Sequence, residues 1–218
     1  MSCLLCNSKI VSCIHNKLDK TFGEKNYYSC NNCKLIFLSP QDRLKPKSEK
    51  ERYDNHQNDP SDKNYINFLQ RLTSPLISKL TNNACGLDFG CGPGPSMSII
   101  FENTGHKVEN YDPYYFSDNS LLEKQYDFIT CSEVVEHFYN PRKEFFLLHS
   151  LLKKNNSRLA IMTEVLQNKE GFINWWYHKD PTHVCFYEQS TFDWIAKWLN
   201  FQVEYPDKNI VIYTKNYK

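Results

Sequence analysis

The stretch LDFGCGPG, residues 87–94, sets the tightest limit on how this chain can fold. Seven glycines occur in 218 residues, and four of them, Gly86, Gly90, Gly92 and Gly94, fall within nine positions. A strand pattern precedes the cluster and a helical pattern, SMSIIFENTG, follows it. The glycines therefore mark a strand-to-helix turn whose backbone approaches a ligand closely. The spacing is G-x-G-x-G, and Pro95 stands where the dinucleotide fingerprint has its third glycine. Pro93 and Pro95 remove two backbone donors that a diphosphate needs, and Asp88 repels phosphate from inside the turn. A positively charged ligand without phosphate suits this loop better. Asp112 ends the next strand, KVENYD, where a carboxylate can accept from both hydroxyls of a ribose. The competing reading of Asp112 is a turn residue before Pro113.

From residue 84 onward, short apolar runs alternate with helical stretches. CGLDFG, KVENYD, YDFITC, RLAIMTE, FQVEY and IVIYT read as strands. SMSIIFENTG, PRKEFFLLHSLLKK and STFDWIAKWL read as helices. That alternation predicts a mostly parallel sheet with helices on both faces. Ahead of it, Ile66, Leu69, Leu72, Leu76 and Leu80 recur at helical steps, with Ser61 placed to cap the start and Pro75 to kink the end.

Residues 1–40 carry a different signature. Cys3 and Cys6 (CLLC) and Cys30 and Cys33 (CNNC) form two identical pairs, each able to present two thiolates to one ion. Four thiolates leave no open position, so the expected zinc is structural and the segment is a zinc ribbon. The bland alternative is a chance set of core cysteines. Residues 41–60 hold almost no aliphatics and include Pro46 and Pro60, which reads as a polar linker. Residues 61–218 form the remaining domain. A net charge of +1 supplies no general attraction for nucleic acid or anionic membrane, and no apolar run is long enough to span a bilayer. A cytoplasmic protein without membrane partners is expected.

LDFGCGPG, then YDP, then FITCSEVVEHF resembles the class I S-adenosylmethionine-dependent methyltransferases. The resemblance implies an α/β, Rossmann-like seven-stranded sheet with the last strand antiparallel. Too few residues separate Asp112 from Tyr126 for a helix and a third strand, so that edge is trimmed and its adenine contact stays unassigned. The resemblance assigns Asp88, Gly90, Gly92 and Gly94 to the methionine end of the cofactor. It gives Asp112 to the ribose and the segment Cys131, Ser132, Glu133 to the adenosyl or methionine part.

The EVVEH segment resembles that of two metal-using branches, the quinone-biosynthesis O-methyltransferases and the small-RNA 2′-O-methyltransferases. In the RNA branch the two Glu, the His and a later His are ligands. This implies Glu133, Glu136, His137 and His183 as a second divalent site, with Glu136, His137 and His183 carrying catalysis. On a helix, Glu133, Glu136 and His137 share one face; without a metal they are a solvated helix start near the dipole. His178 and Asp180 are alternative polar partners or bases, and Trp175, Trp176 and Tyr177 are candidate acceptor walls. No N-P-P-Y segment follows the fourth strand, which disfavours amine methylation. The leading expectation is methylation of an oxygen on a small-molecule acceptor. The alternatives are an RNA methyltransferase that uses the ribbon to hold RNA, and a non-catalytic cofactor-binding module that recruits a partner.

Overall fold

The computed structural model describes residues 1–54, 59, 61–154 and 156–216. Strands β1 (Val11–Asp19) and β2 (Gly23–Cys30) pair antiparallel as a hairpin, and β3 (Ile36–Leu38) adds to β2. Helix α1 (Pro46–Tyr53) lies within the expected linker, and α2 (Lys63–Ile77) follows. The remainder of that linker, residues 55–58 and Pro60, lies outside the described residues. Then come β4 (Cys85–Phe89), α3 (Ser96–Glu102), β5 (Lys107–Tyr111), β6 (Phe128–Ser132), α4 (Pro141–Leu151) and β7 (Arg158–Met162). The chain closes with β8 (Val165–Leu166), β9 (Cys185–Glu188), α5 (Gln189–Leu199), β10 (Phe201–Asp207) and β11 (Ile210–Lys215). Among the described residues, no helix is long and apolar enough to cross a membrane.

The main sheet has the order β10-β11-β7-β6-β4-β5. Strands β5, β4, β6 and β7 are parallel, and the last strand, β11, runs antiparallel to both neighbours. Among the described residues this sheet has six strands, the family's seven less the one at the edge expected to be trimmed. Between Asp112 and Tyr126 the chain has room for one 3-10 segment, Asn119–Glu123, and no further strand. One face is covered by α2 and α3, where Leu69, Leu72, Leu76 and Phe101 meet Phe128 and Ile212. The other face takes α4 and α5 through Phe145, Leu148, Phe192 and Ile195. Asp62, not Ser61, caps α2, and Pro75 falls in its last turn, where the helix was about to end.

Gly86 is not part of the turn at all. It lies within β4, and a Cβ there would sit 2.3 Å from the ring of the buried Phe128. Gly86→Ala is expected to cost about 3 kcal/mol through overpacking, read as a lower urea midpoint at unchanged slope.

The ribbon does not stand apart. β3 pairs antiparallel with β9, and β9 pairs parallel with β8, so one five-stranded sheet, β1-β2-β3-β9-β8, runs from the ribbon into the later chain. Leu35, Ile36, Phe37 and Leu38 are buried in the same cluster as Phe186, Tyr187 and Phe145. No register for this pairing is legible in the residues, because β3 is apolar throughout and fits a buried strand against any partner.

Candidate functional site

β4 ends at Phe89, and the backbone turns at once into the left-handed region, with φ of 80° at Gly90 and 66° at Gly92. The amides of Gly90 and Cys91 both donate to the Tyr111 carbonyl, at 2.7 and 3.2 Å, which folds the turn back over the tip of β5. A Cβ on Gly90 would lie 2.6 Å from Val134 Cγ2, so both backbone and space demand glycine there. Asp112, buried at the end of β5, joins the two tips. Its Oδ2 accepts from the Gly92 amide at 3.1 Å, and its Oδ1 accepts from the amides of Tyr114 (2.8 Å) and Tyr115 (3.2 Å). The turn role weighed for Asp112 is therefore real, and it coexists with a carboxylate on the wall of the main cavity.

That cavity, about 830 Å³, opens at the carboxyl ends of the parallel strands. Gly90, Gly92, Pro93, Asp112, Ser132 and Glu133 line it from the sheet, and Leu122 enters from the 3-10 segment. Asp88 and Gly94 line a separate pocket of about 30 Å³ beneath the turn, which shares Tyr65, Gly90 and Ser132 with the main cavity. Asp88 Oδ1 accepts from Thr130 Oγ1 at 2.8 Å, and burial, with Asp112 nearby, raises its pKa to about 7. Cys131 is fully buried and lines neither space, because alternation along β6 turns it into the core.

The three EVVEH groups do not share a helix face. Glu133 has φ of 53°, and Val135–His137 is a single 3-10 turn. The Glu133 amide still donates to the Met162 carbonyl at 2.8 Å, so the sheet holds the backbone up to the bend. A left-handed glutamate at a strand end is a strained conformation of the kind found at functional sites. Glu136, wholly buried, accepts from Thr163 Oγ1 at 2.9 Å on Oε2 and from the Tyr177 hydroxyl on Oε1. The same hydroxyl lies 3.0 Å from Glu133 Oε2.

Glu136, His137 and His183 bring one potential ligand atom each to within 4.8 Å of one another, and Glu133 is not part of that cluster. His137 Nδ1 lies 3.0 Å from the Thr182 carbonyl, and His183 Nδ1 lies 2.8 Å from the Tyr177 carbonyl. A carbonyl can only accept, so each Nδ1 carries a proton and each neutral ring has its lone pair on Nε2. Burial, with His137 adjacent, lowers the His183 pKa to about 4 and keeps the ring neutral. Two imidazole nitrogens and one carboxylate oxygen, held by carbonyls and hydroxyls behind them, are a fitting donor set for a divalent ion.

His178 does not reach the cavity. It is buried against Phe172, with ring centroids 4.8 Å apart, and its carbonyl accepts from the Tyr27 hydroxyl of the ribbon at 3.2 Å. Asp180 lines the cavity but is held by Arg52 and Thr182. Of the three adjacent aromatics, Tyr177 is buried, Trp175 half-buried, and Trp176 is 60% exposed on the cavity wall. Sequence reasoning missed α1, whose Glu49 and Tyr53 also line the cavity. Glu49 is buried and accepts from the hydroxyls of Tyr53 (3.1 Å) and Tyr114 (2.8 Å). The only available signal was a tyrosine at the end of an otherwise charged run, SEKERY.

In the ribbon, Cys3, Cys6, Cys30 and Cys33 converge, their sulfurs all within 4.8 Å. Asn7 and Lys34, the residues after each pair, take φ of 60° and 62°, and their amides or neighbours close tight turns on Cys3 and Cys30. A left-handed turn thus follows each pair, one at an asparagine, which tolerates it, and one at a lysine, which suits it less. This arrangement fits a zinc site.

Sheet order, glycine turn and the acid at the next strand tip place the chain among the α/β methyltransferases. The methyltransferase domain family matches residues 61–205, and the chain belongs to it. No curated protein matches the chain. An O-methyltransferase family protein from Burkholderia thailandensis aligns with a TM-score of 0.52 at 10% identity, over 77% of this chain and 63% of that one. The PH0226 protein from Pyrococcus horikoshii aligns with a TM-score of 0.50 at 15% identity, over 76% and 99%. CalO1, a methyltransferase in calicheamicin biosynthesis with SAH bound, aligns with a TM-score of 0.50 at 8% identity, over 70% and 55%. The chain thus spans less than two thirds of the first and third of these structures.

Proposed function

We propose that this chain is an S-adenosylmethionine-dependent methyltransferase acting on a hydroxyl of a small-molecule acceptor, with a divalent ion held by Glu136, His137 and His183. The observation that carries the reading is that one cavity of about 830 Å³ has the glycine turn and Asp112 on its wall together with His137 and His183. Its size suits a nucleoside-type cofactor and a small acceptor together. The cofactor supplies a methyl group on a sulfonium, a good leaving group, so the protein's task is chiefly positioning and proton removal. Asp112 retains a lone pair on Oδ2 for a ribose hydroxyl after taking its three amides. Nε2 of His137 and of His183 and an oxygen of Glu136 would hold the ion, which lowers the pKa of a bound hydroxyl. Trp176 offers the acceptor a stacking surface.

Charge favours a small acceptor over RNA. Among the described residues, Glu49, Asp112, Glu133, Glu144 and Asp180 line the cavity, against Lys143 as the one lining lysine or arginine. A phosphate backbone needs the opposite balance. The structural role of the thiolate site belongs to the same proposal: zinc there would build the ribbon whose β3 pairs with β9, just beyond His183.

The test is transfer of labelled methyl from the cofactor into a metabolite extract and into an RNA extract. Label is expected in the metabolite fraction, lost with a chelator and restored by manganese. Asp112→Ala is expected to weaken SAH binding at least about tenfold by calorimetry, since a ribose contact and the loop's anchor go together. Label confined to RNA would reverse the choice of acceptor, and unchanged SAH affinity in Asp112→Ala would remove the cofactor assignment.

A further inference from the structure

Arg52 lies between the ribbon and the methyltransferase domain, on α1, and none of the sequence motifs includes it. We propose that it is a positioning residue for the two histidines of the site. The inference rests on the metal reading above. Arg52 grips Asp180 with a two-pronged contact: Nη2 to Oδ2 at 2.7 Å and Nε to Oδ1 at 2.9 Å. Asp180 in turn builds the bend that follows it. Its Oδ1 accepts from the Thr182 amide at 3.0 Å and from Thr182 Oγ1 at 2.7 Å, and its carbonyl accepts from the His183 amide at 3.2 Å. The Thr182 carbonyl is the acceptor for His137 Nδ1, at 3.0 Å. One carboxylate therefore fixes the backbone that orients His137 and the backbone that bears His183. The next residue of α1, Tyr53, meets the His137 ring edge to face, with centroids 5.2 Å apart.

The energetics separate this role from simple stabilisation. The Arg52 and Asp180 side chains are 44% and 22% exposed, and ion pairs in such settings contribute little to folding. Outer partners of a ligand set are different: their loss weakens metal binding about 10- to 100-fold. A planar fork fixes a carboxylate's orientation, which a lysine ammonium cannot do.

The experiment uses the full chain with its ribbon loaded with zinc. Manganese(II) binding is followed by electron paramagnetic resonance, SAH binding by calorimetry, and the imidazole nitrogens by ¹⁵N spectra of labelled histidine. In Arg52→Ala, manganese affinity is expected to fall about 10- to 100-fold while SAH affinity and the melting midpoint hold. Arg52→Lys should recover only part of the loss. Asp180→Asn, which keeps an acceptor for Thr182 but loses the charge, should resemble Arg52→Ala. Equal manganese affinity in Arg52→Ala and the unsubstituted protein overturns the proposal. If the unsubstituted protein binds no manganese, the metal reading fails on its own, and the nitrogen spectra decide. Two Nδ1–H rings giving way to mixed tautomers for His137 in Arg52→Ala supports positioning; identical spectra overturn it.

Discussion

Cys30→Ser is expected to destabilise the whole chain as one cooperative unit, and not the ribbon alone. Four thiols within 4.8 Å cannot all ionise without a cation. A hydrogen bond from Cys33 lowers the Cys3 thiol to about 5, whereas burial pushes Cys30 up to about 11. A bound zinc removes that conflict, and its binding energy is then folding energy, on the order of 10 kcal/mol for small zinc sites. That equals the net stability of a typical domain. The loss spreads because β3 is a shared strand. Leu38 donates its amide to the Val184 carbonyl at 2.9 Å, and the Val184 amide donates to the Glu136 carbonyl at 2.8 Å. The ribbon, the neighbour of His183 and the backbone of Glu136 are thus consecutive rungs. The Arg142 guanidinium adds a bond to the Leu5 carbonyl at 3.1 Å. Calorimetric melting of Cys30→Ser should show one transition, lowered by well over 10 °C, or no folded protein. A second transition persisting at the original temperature would mean that the ribbon folds as an independent unit.

What the sequence disclosed and what it hid divide along physical lines. Buried parallel strands such as FITCS and RLAIM leave apolar runs, glycines betray left-handed turns, and paired CxxC spacings betray a thiolate site. Each is a local signal. The pairing of β3 with β9 joins residues about 150 positions apart, and nothing local records it. Helix α1 packs through Glu49 and Tyr53, whose burial rests on hydroxyl–carboxylate bonds, so an aliphatic period had nothing to show. Glu133 defeats the helical reading because the sheet holds its amide to Met162 while the chain must already bend. The set of candidate ligands was legible as residue types. Their division into a cluster of Glu136, His137 and His183, with Glu133 bonded instead to Tyr177, was not.

That division predicts how manganese affinity responds to pH. The Tyr177 hydroxyl has one proton but stands within hydrogen-bonding reach of Glu136 and of Glu133. It can donate to one carboxylate only, so the other contact is satisfied when that carboxyl is itself protonated and donates to the tyrosine oxygen. Burial raises both carboxyls, and repulsion from Glu136 adds to it for Glu133, so that Glu133 reaches about 8 and Glu136 about 7. Below about 7 Glu136 accordingly carries a proton that a divalent ion must displace, while the Glu133 proton sits on a group outside the ligand cluster. His183, lowered to about 4, is already neutral in that range and releases none. Affinity should therefore rise with pH, about tenfold per unit below 7, and level off above it, because one proton leaves per ion bound. Glu133→Gln removes the partner carboxylate and should move the break to lower pH while leaving the plateau close to its original level, since Glu133 is not a ligand. A slope of two protons, or a plateau lost in Glu133→Gln, would return Glu133 to the ligand set. A flat profile would show that the pair gives up no proton and that the ion does not sit on Glu136.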